Sequence, residues 1–294
     1  MTKFIGTGVA IVTPFKNDFS IDFTALGRIV NHLIKGGVDY IVAMGTTGEA
    51  STLTTDEKHA VLSYVTETID GRIPLIVGIG GNNTREIINF ITETDLTGAD
   101  GILSVAPYYN KPSQRGIFEH FRAIAGSSHL PVIIYNVPGR TSCNISSDTC
   151  LELAHQCKNI AGIKEASGDL AQIMRIIKGK PENFLVISGD DMLTIPIISA
   201  GGSGVISVLA NAYPAGCSEL VRQALKNNFR AAYEIHFRFM NAIELLFADG
   251  NPSGVKAFMS VLNLCENIVR LPLVPVSQAV FTKIQKAAEE LKLG

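Results

Sequence analysis

Eight short runs of β-branched and apolar residues recur along this chain of 294 residues, each followed by a longer stretch of helical periodicity. The runs are Val9–Val12, Tyr40–Met44, Leu75–Ile79, Gly101–Val105, Val132–Tyr135, Ala161–Lys164, Phe184–Ser188 and Gly204–Ser207. Near-continuous apolar runs of this length read as parallel strands covered on both faces. Amphipathic segments such as Phe23–Lys35, Thr54–Asp70, Asn83–Leu96, Ser113–Ala125 and Leu170–Ile177 lie between them. Strand–helix units spaced roughly 25–30 residues apart predict an α/β fold, a (β/α)8 TIM barrel. An open doubly wound sheet would place a Gly-x-Gly-x-x-Gly turn after its first strand, and Thr13-Pro14-Phe15-Lys16 is nothing like one.

Beyond the eighth run the pattern is helical only: Pro214–Lys226, Arg230–Leu246, Pro252–Leu264 and Ser277–Lys292. No Pro/Gly/Ser-rich linker sets this tail apart. The expected division is a barrel over 1–226 and a C-terminal helical appendage over 227–294 packed on it.

Composition removes several classes of function. Hydrophobic residues make up 46% and charged residues 18%, enough for a large core and too little charge for disorder. A net charge of −2 without a basic stripe argues against nucleic acid or an anionic membrane as partner. No apolar run reaches transmembrane length, and Met1-Thr2-Lys3-Phe4 does not open a signal peptide. Five cysteines, among them Cys143, Cys150 and Cys157, form no C-x-x-C pair, so a reduced, cytoplasmic compartment is expected. Histidines 32, 59, 120, 129, 155 and 236 form no pair at metal-ligand spacing, so no metal is expected and zinc-dependent aldol chemistry is disfavoured. No phosphate loop is present either. The Gly201-Gly202-Ser203-Gly204 cluster precedes the eighth run and reads as a tight helix-to-strand turn at the other end of the barrel.

The polar residues gather where the predicted strands end. Strand two runs into Gly45-Thr46-Thr47-Gly48-Glu49, strand four into Pro107-Tyr108-Tyr109-Asn110, and strand five into Tyr135-Asn136-Val137-Pro138-Gly139-Arg140. Strand six ends on Lys164, and strand seven on Gly189-Asp190-Asp191. Active sites of such barrels sit at this C-terminal rim. Lys164 is the sharpest feature, because it closes the apolar run Ile160-Ala161-Gly162-Ile163. Burial there disfavours the ammonium and lowers the pKa, which is what an amine needs to attack a carbonyl and form a Schiff base. The competing reading is a lysine whose ammonium snorkels to water.

With these motifs the chain resembles, over nearly its whole length, the pyruvate-dependent class I aldolase family that includes N-acetylneuraminate lyase. The resemblance implies that Lys164 captures the keto carbon of pyruvate and that Tyr135 moves protons beside the imine. It implies that Thr46 links Tyr135 to a Tyr109 supplied by a neighbouring subunit of a homotetramer, a dimer of dimers. Thr47 would hold the pyruvate carboxylate, backbone near Ile206 would line the pocket, and Gly189 would leave room for it. The sialic-acid lyases usually carry Ser for Thr46 and lack an arginine at 140. This chain therefore sides with the synthases that join pyruvate to L-aspartate 4-semialdehyde on the diaminopimelate route to lysine, with no cofactor. Arg140 is expected to bind the semialdehyde carboxylate as a paired hydrogen-bond donor. A lyase for another 2-keto acid, or a non-catalytic sensor on the same barrel, are the alternatives; a sensor would be expected to have lost part of this relay.

Relatives inhibited by lysine bind it in a cleft at the tight-dimer interface. Ser51, Asn82, Glu86 and Tyr108 suit such a cleft. Thr55 and Lys58 stand where sensitive bacterial enzymes carry histidines, and a second cation beside a cationic effector predicts weak or absent inhibition.

Overall fold

A computed structural model describes residues 2–293. Eight parallel strands close a barrel in chain order: β1 (Gly6–Ala10), β2 (Tyr40–Ala43), β3 (Leu75–Gly78), β4 (Gly101–Val105), β5 (Val132–Asn136), β6 (Ile160–Glu165), β7 (Leu185–Ser188) and β8 (Gly204–Ser207). The seam pairs β1 with β8, Gly6 opposite Gly204 and Gly8 opposite Ile206. The helices are α1 (Phe23–Lys35), α2 (Thr55–Ile69), α3 (Thr84–Glu93), α4 (Gln114–Ser127), α5 (Pro138–Thr141), α6 (Ser147–Gln156), α7 (Leu170–Gly179), α8 (Thr194–Ser199) and α9 (Pro214–Leu225), followed by α10 (Phe229–Phe247), α11 (Ser253–Val261) and α12 (Gln278–Leu293). The predicted barrel is the fold. α9 packs on β1 and β8, while α10 packs on α9 and α12.

Local chemistry starts the helices where the periodicity begins. Asp22 accepts from the Ala25 amide to cap α1, and Thr54 with Glu57 forms a reciprocal capping box on α2. The short α5, α8 and the weakly periodic α6 are not marked by the sequence pattern. β1 differs from its expected span, Val9–Val12, because its ladder begins at Gly6. By Val12 the backbone amide has left the sheet and donates to the Asn211 side chain at 3.1 Å.

Strand alternation separates two cores. Val42, Ile76, Leu103, Ile133, Ile187 and Ile206 fill the barrel interior, with Phe4 and Tyr40 packed edge to face at 5.7 Å. Gly8 makes this possible, since a Cβ there would lie 2.2 Å from the Tyr40 ring. Val9, Ile41, Val77, Ile102, Ile134 and Val186 face the helices instead.

β6 breaks its alternation in one place. Val132 pairs with Ile160 but Ile133 pairs with Gly162, so Ala161 is an extra residue. Ile160 and Ile163, three apart, therefore both face the outer core. The bulge re-aims everything beyond it, and Lys164 turns into the barrel. Glu165, expected in the following loop, is the last residue of β6 and pairs with Asn136 and Ser188.

Among the described residues no helix is long and apolar enough to cross a membrane, and no group of three His, Cys, Asp or Glu side chains is placed to hold a metal ion.

Candidate active site

Lys164 and Tyr135 are register partners at the ends of β6 and β5. The lysine is 5% exposed, and its Nζ lies 4.3 Å from the centroid of the Tyr135 ring. Burial pushes its pKa down to about 8, against the pull of the Asp191 carboxylate and with help from the Arg140 guanidinium. A substantial neutral fraction near physiological pH makes this amine a nucleophile. Gly189 borders it closely, because a Cβ there would lie 3.0 Å from the Lys164 Cε and 2.9 Å from the Ala166 Cβ. Any side chain at 189 would press on the lysine.

The Tyr135 phenol is buried, which raises its pKa; the Arg140 charge and the Thr46 hydroxyl, within hydrogen-bonding reach, act the other way. Thr46 itself is exposed at the barrel mouth, whereas Thr47 is buried beside it. Arg140 is carried on α5, directly after β5. Asp191 is buried under β8, where its carboxylate accepts from the Ser207 hydroxyl at 2.5 Å and from the Val208 and Leu209 amides at 2.9 and 3.1 Å. It thereby holds the chain just beyond Ile206. These side chains, all on strand ends or the loops after them, form a mouth of buried amine, phenol, hydroxyls and one guanidinium.

Tyr109 stands apart. It is 89% exposed with a backbone φ of 70°, so within one chain it does not reach the Thr46–Tyr135 pair. Tyr108, Ser51, Lys58, Asn82 and Glu86 line a cleft of about 780 Å³ that also touches Thr46, Tyr135 and Arg140. The expected effector residues thus share one continuous hollow with the barrel mouth.

The model of the dihydrodipicolinate synthetase family matches residues 3–291. The 4-hydroxy-tetrahydrodipicolinate synthase of Flavobacterium psychrophilum is 52% identical over 291 residues, 99% of each chain. The solved dihydrodipicolinate synthase of Aquifex aeolicus superposes with a TM-score of 0.95 at 42% identity, covering 99% of both chains. That of Cyanidioschyzon merolae with lysine bound gives a TM-score of 0.95 at 37% identity, again over 99% of each. The chain belongs to the dihydrodipicolinate synthetase family. It is an enzyme of that family, built on the family's barrel.

Within this family member, several residues at the mouth carry no local sequence signal. Asn251, between α10 and α11, donates from Nδ2 to the Thr47 hydroxyl at 3.1 Å, and its carbonyl accepts from Arg140 Nη2 at 3.3 Å. Asn-Pro marks a turn in the sequence, but its place at the mouth comes from long-range packing. Glu49, last residue of the Gly-Thr-Thr-Gly-Glu loop, is buried and paired with Lys256 of α11, and also accepts from the Arg270 amide at 3.0 Å. Burial lowers the Lys256 pKa and the Glu49 charge raises it. Arg270 in turn grips Glu57 of α2 with both terminal nitrogens and lies 4.4 Å over the Phe15 ring. The C-terminal helices therefore brace the loop that presents Thr46 and Thr47.

Proposed function

We propose that this enzyme condenses pyruvate with L-aspartate 4-semialdehyde through a Schiff base on Lys164, giving 4-hydroxy-tetrahydrodipicolinate on the diaminopimelate route to lysine. The observation that carries the reading is Lys164 itself, an amine held near pKa 8 against a phenol with a hydroxyl beside it. The neutral amine attacks the keto carbon of pyruvate. Water leaves from the carbinolamine, with Tyr135 passing the proton, and an iminium remains. That iminium accepts the electron pair released when the methyl carbon loses a proton, so an enamine forms. The enamine carbon attacks the aldehyde carbon of the semialdehyde, whose oxygen takes a proton. The substrate's own amine then adds to the imine carbon and displaces Lys164, closing the ring.

In this reading Thr47 and backbone near Ile206 receive the pyruvate carboxylate, Gly189 gives the lysine its space, and Arg140 receives the semialdehyde carboxylate. No cofactor or metal takes part. Tyr109 is read as the group a second copy brings to Thr46 in a homotetramer of tight dimers; its exposure in the single chain supports that role. The enzyme is placed in the cytoplasm, with neither nucleic acid nor membrane as partner.

An assay with pyruvate and aspartate semialdehyde, run beside one with pyruvate and N-acetylmannosamine, tests the reading. Turnover only with the semialdehyde is expected. Preference for the sugar would make it a sialic-acid lyase, and no turnover with either would favour a sensor. The cleft with Glu86 and Lys58 is read as a lysine site weakened by its own cation. Titration with L-lysine at saturating pyruvate is expected to give weak or no inhibition, and strong submillimolar inhibition would refute the charge argument.

A further inference from the structure

Behind the inward-facing pair Tyr135 and Lys164, the next two residues of the same strands form a second pair. Asn136 and Glu165 are also register partners, but they face the helices. Asn136 Nδ2 donates to Glu165 Oε1 at 2.7 Å, and both residues are fully buried. Glu165 Oε2 accepts from the Ser167 hydroxyl at 3.0 Å and from Gln172 Nε2 at 3.1 Å. Asn136 spends its remaining capacity on Asn144 Oδ1, at 2.8 Å, and on the Ile145 amide, at 2.9 Å. Those two bonds close the loop that carries α5 and Arg140.

This arrangement is costly for packing alone. A carboxylate out of water is destabilising by several kcal/mol, and every partner of Glu165 is neutral. Burial accordingly raises its pKa, and its hydrogen-bond donors pull the other way. An apolar side chain would fill the same space without that cost. What the polar pair adds is direction: a saturated network has one arrangement, whereas apolar contacts slide.

We propose that Asn136 and Glu165 are positioning residues, a clamp behind the sheet that fixes the strand ends so that Lys164 Nζ stays against the Tyr135 ring and the Arg140 loop stays closed. The clamp rests on the reading of Lys164 as the Schiff-base lysine and extends it to two residues that never touch substrate. A misplacement of order 1 Å in a reacting pair slows a reaction by about 100-fold.

The test is the rate at which borohydride traps the pyruvate imine, measured against pH, alongside thermal stability. Asn136→Ala and Glu165→Ala are expected to slow trapping by about 10- to 100-fold. They are also expected to raise the amine's apparent pKa above about 8, because a displaced Nζ gains water while still facing Asp191 and Arg140. Glu165→Gln keeps an acceptor toward Asn136 and is expected to keep most of the rate. Gln172→Ala unties both the Glu165 carboxylate, at 3.1 Å, and Asn144, at 2.9 and 3.3 Å, and is expected to slow trapping in the same direction by a smaller factor. If the alanine variants do not fold, Asn136→Ser breaks the 2.7 Å contact with a polar side chain retained and is expected to show the same slowing. Parental rates and pH profiles in the folded clamp variants would overturn the proposal, as would a Glu165→Gln enzyme as slow as Glu165→Ala. Absence of any adduct in the parent would overturn the Schiff-base reading and the clamp with it.

Discussion

Glu49, in the loop after β2, and Lys256, on α11, form an ion pair with Nζ 2.5 Å from Oε1 although 207 residues separate them in sequence. Both side chains are essentially inaccessible, at 1% and 0% exposure. Lys256 Nζ also donates to the Ile268 carbonyl at 2.8 Å and sits 4.1 Å from the Phe15 ring centroid. The C-terminal helices and the Thr46–Thr47 loop are thus one structural unit.

Removing one partner of this pair leaves a buried charge uncompensated, which costs about 3–5 kcal/mol. Lys256→Met is therefore expected to lower the denaturation midpoint sharply and to weaken pyruvate binding through the loop. Adding Glu49→Gln to it is expected to restore much of the stability. Chemical denaturation of the two singles and the double checks this; additive losses would show that the charges do not depend on one another.

In the proposed mechanism Lys164 attacks as the neutral amine, so imine formation is expected to rise with pH and to level off above about 8. The stability consequence has a definite sign. The folded-state pKa lies below the ordinary 10.5, so between about 8 and 10.5 the unfolded chain binds more protons and stability rises with pH, while below about 8 the full penalty applies. Lys164→Met is expected to flatten that rise. Lys164→Arg cannot become neutral at working pH and is expected to lose essentially all turnover. Stopped-flow trapping and pH-dependent unfolding measure the two effects, and trapping on another lysine would refute the assignment.

Arg140 is exposed at the mouth, and among the described residues its guanidinium is hydrogen-bonded only to the Asn251 carbonyl, which leaves most of its donors for a ligand. Arg140→Ala is expected to raise the KM for the semialdehyde at least tenfold and the KM for pyruvate little. Steady-state kinetics with each substrate varied separates this from a surface ion pair worth about 0–1 kcal/mol, whose loss would move neither.

Tyr109 is expected to act in a neighbouring subunit. Mixed oligomers of inactive Tyr109→Phe and inactive Lys164→Ala chains should regain activity, because a hybrid pair assembles one intact site. Subunit exchange followed by mass spectrometry, without regained activity, would place Tyr109 outside the relay.

The barrel was legible from the residues because its signal is local. Apolar runs and helical periods repeat through the chain, and strand ends found in this way fall within a residue or two for seven of the eight strands. β1 was shifted because its ladder begins at Gly6, and because Val12 looks like strand but donates to the Asn211 side chain. Lys164 stood out for the same local reason, a cation closing an apolar run. Its direction was not legible. The Ala161 bulge alone turns it inward toward Tyr135, and a register shift depends on the neighbouring strand. Glu165 was misplaced into a loop because a carboxylate is rarely buried, and only its three donors, from β5, from α7 and from the turn before it, make the site tolerable. Asn251, Lys256 and Arg270 lie too far along the chain for any periodicity to connect them with the Gly-Thr-Thr-Gly-Glu loop. The sequence by itself determined the order of strands, the rim on which the polar side chains collect and the amine that closes the sixth apolar run. Tertiary packing decided which way that amine points, how far its pKa falls and what braces the loops around it, because burial, register and long-range hydrogen bonds exist only once the chain has closed on itself.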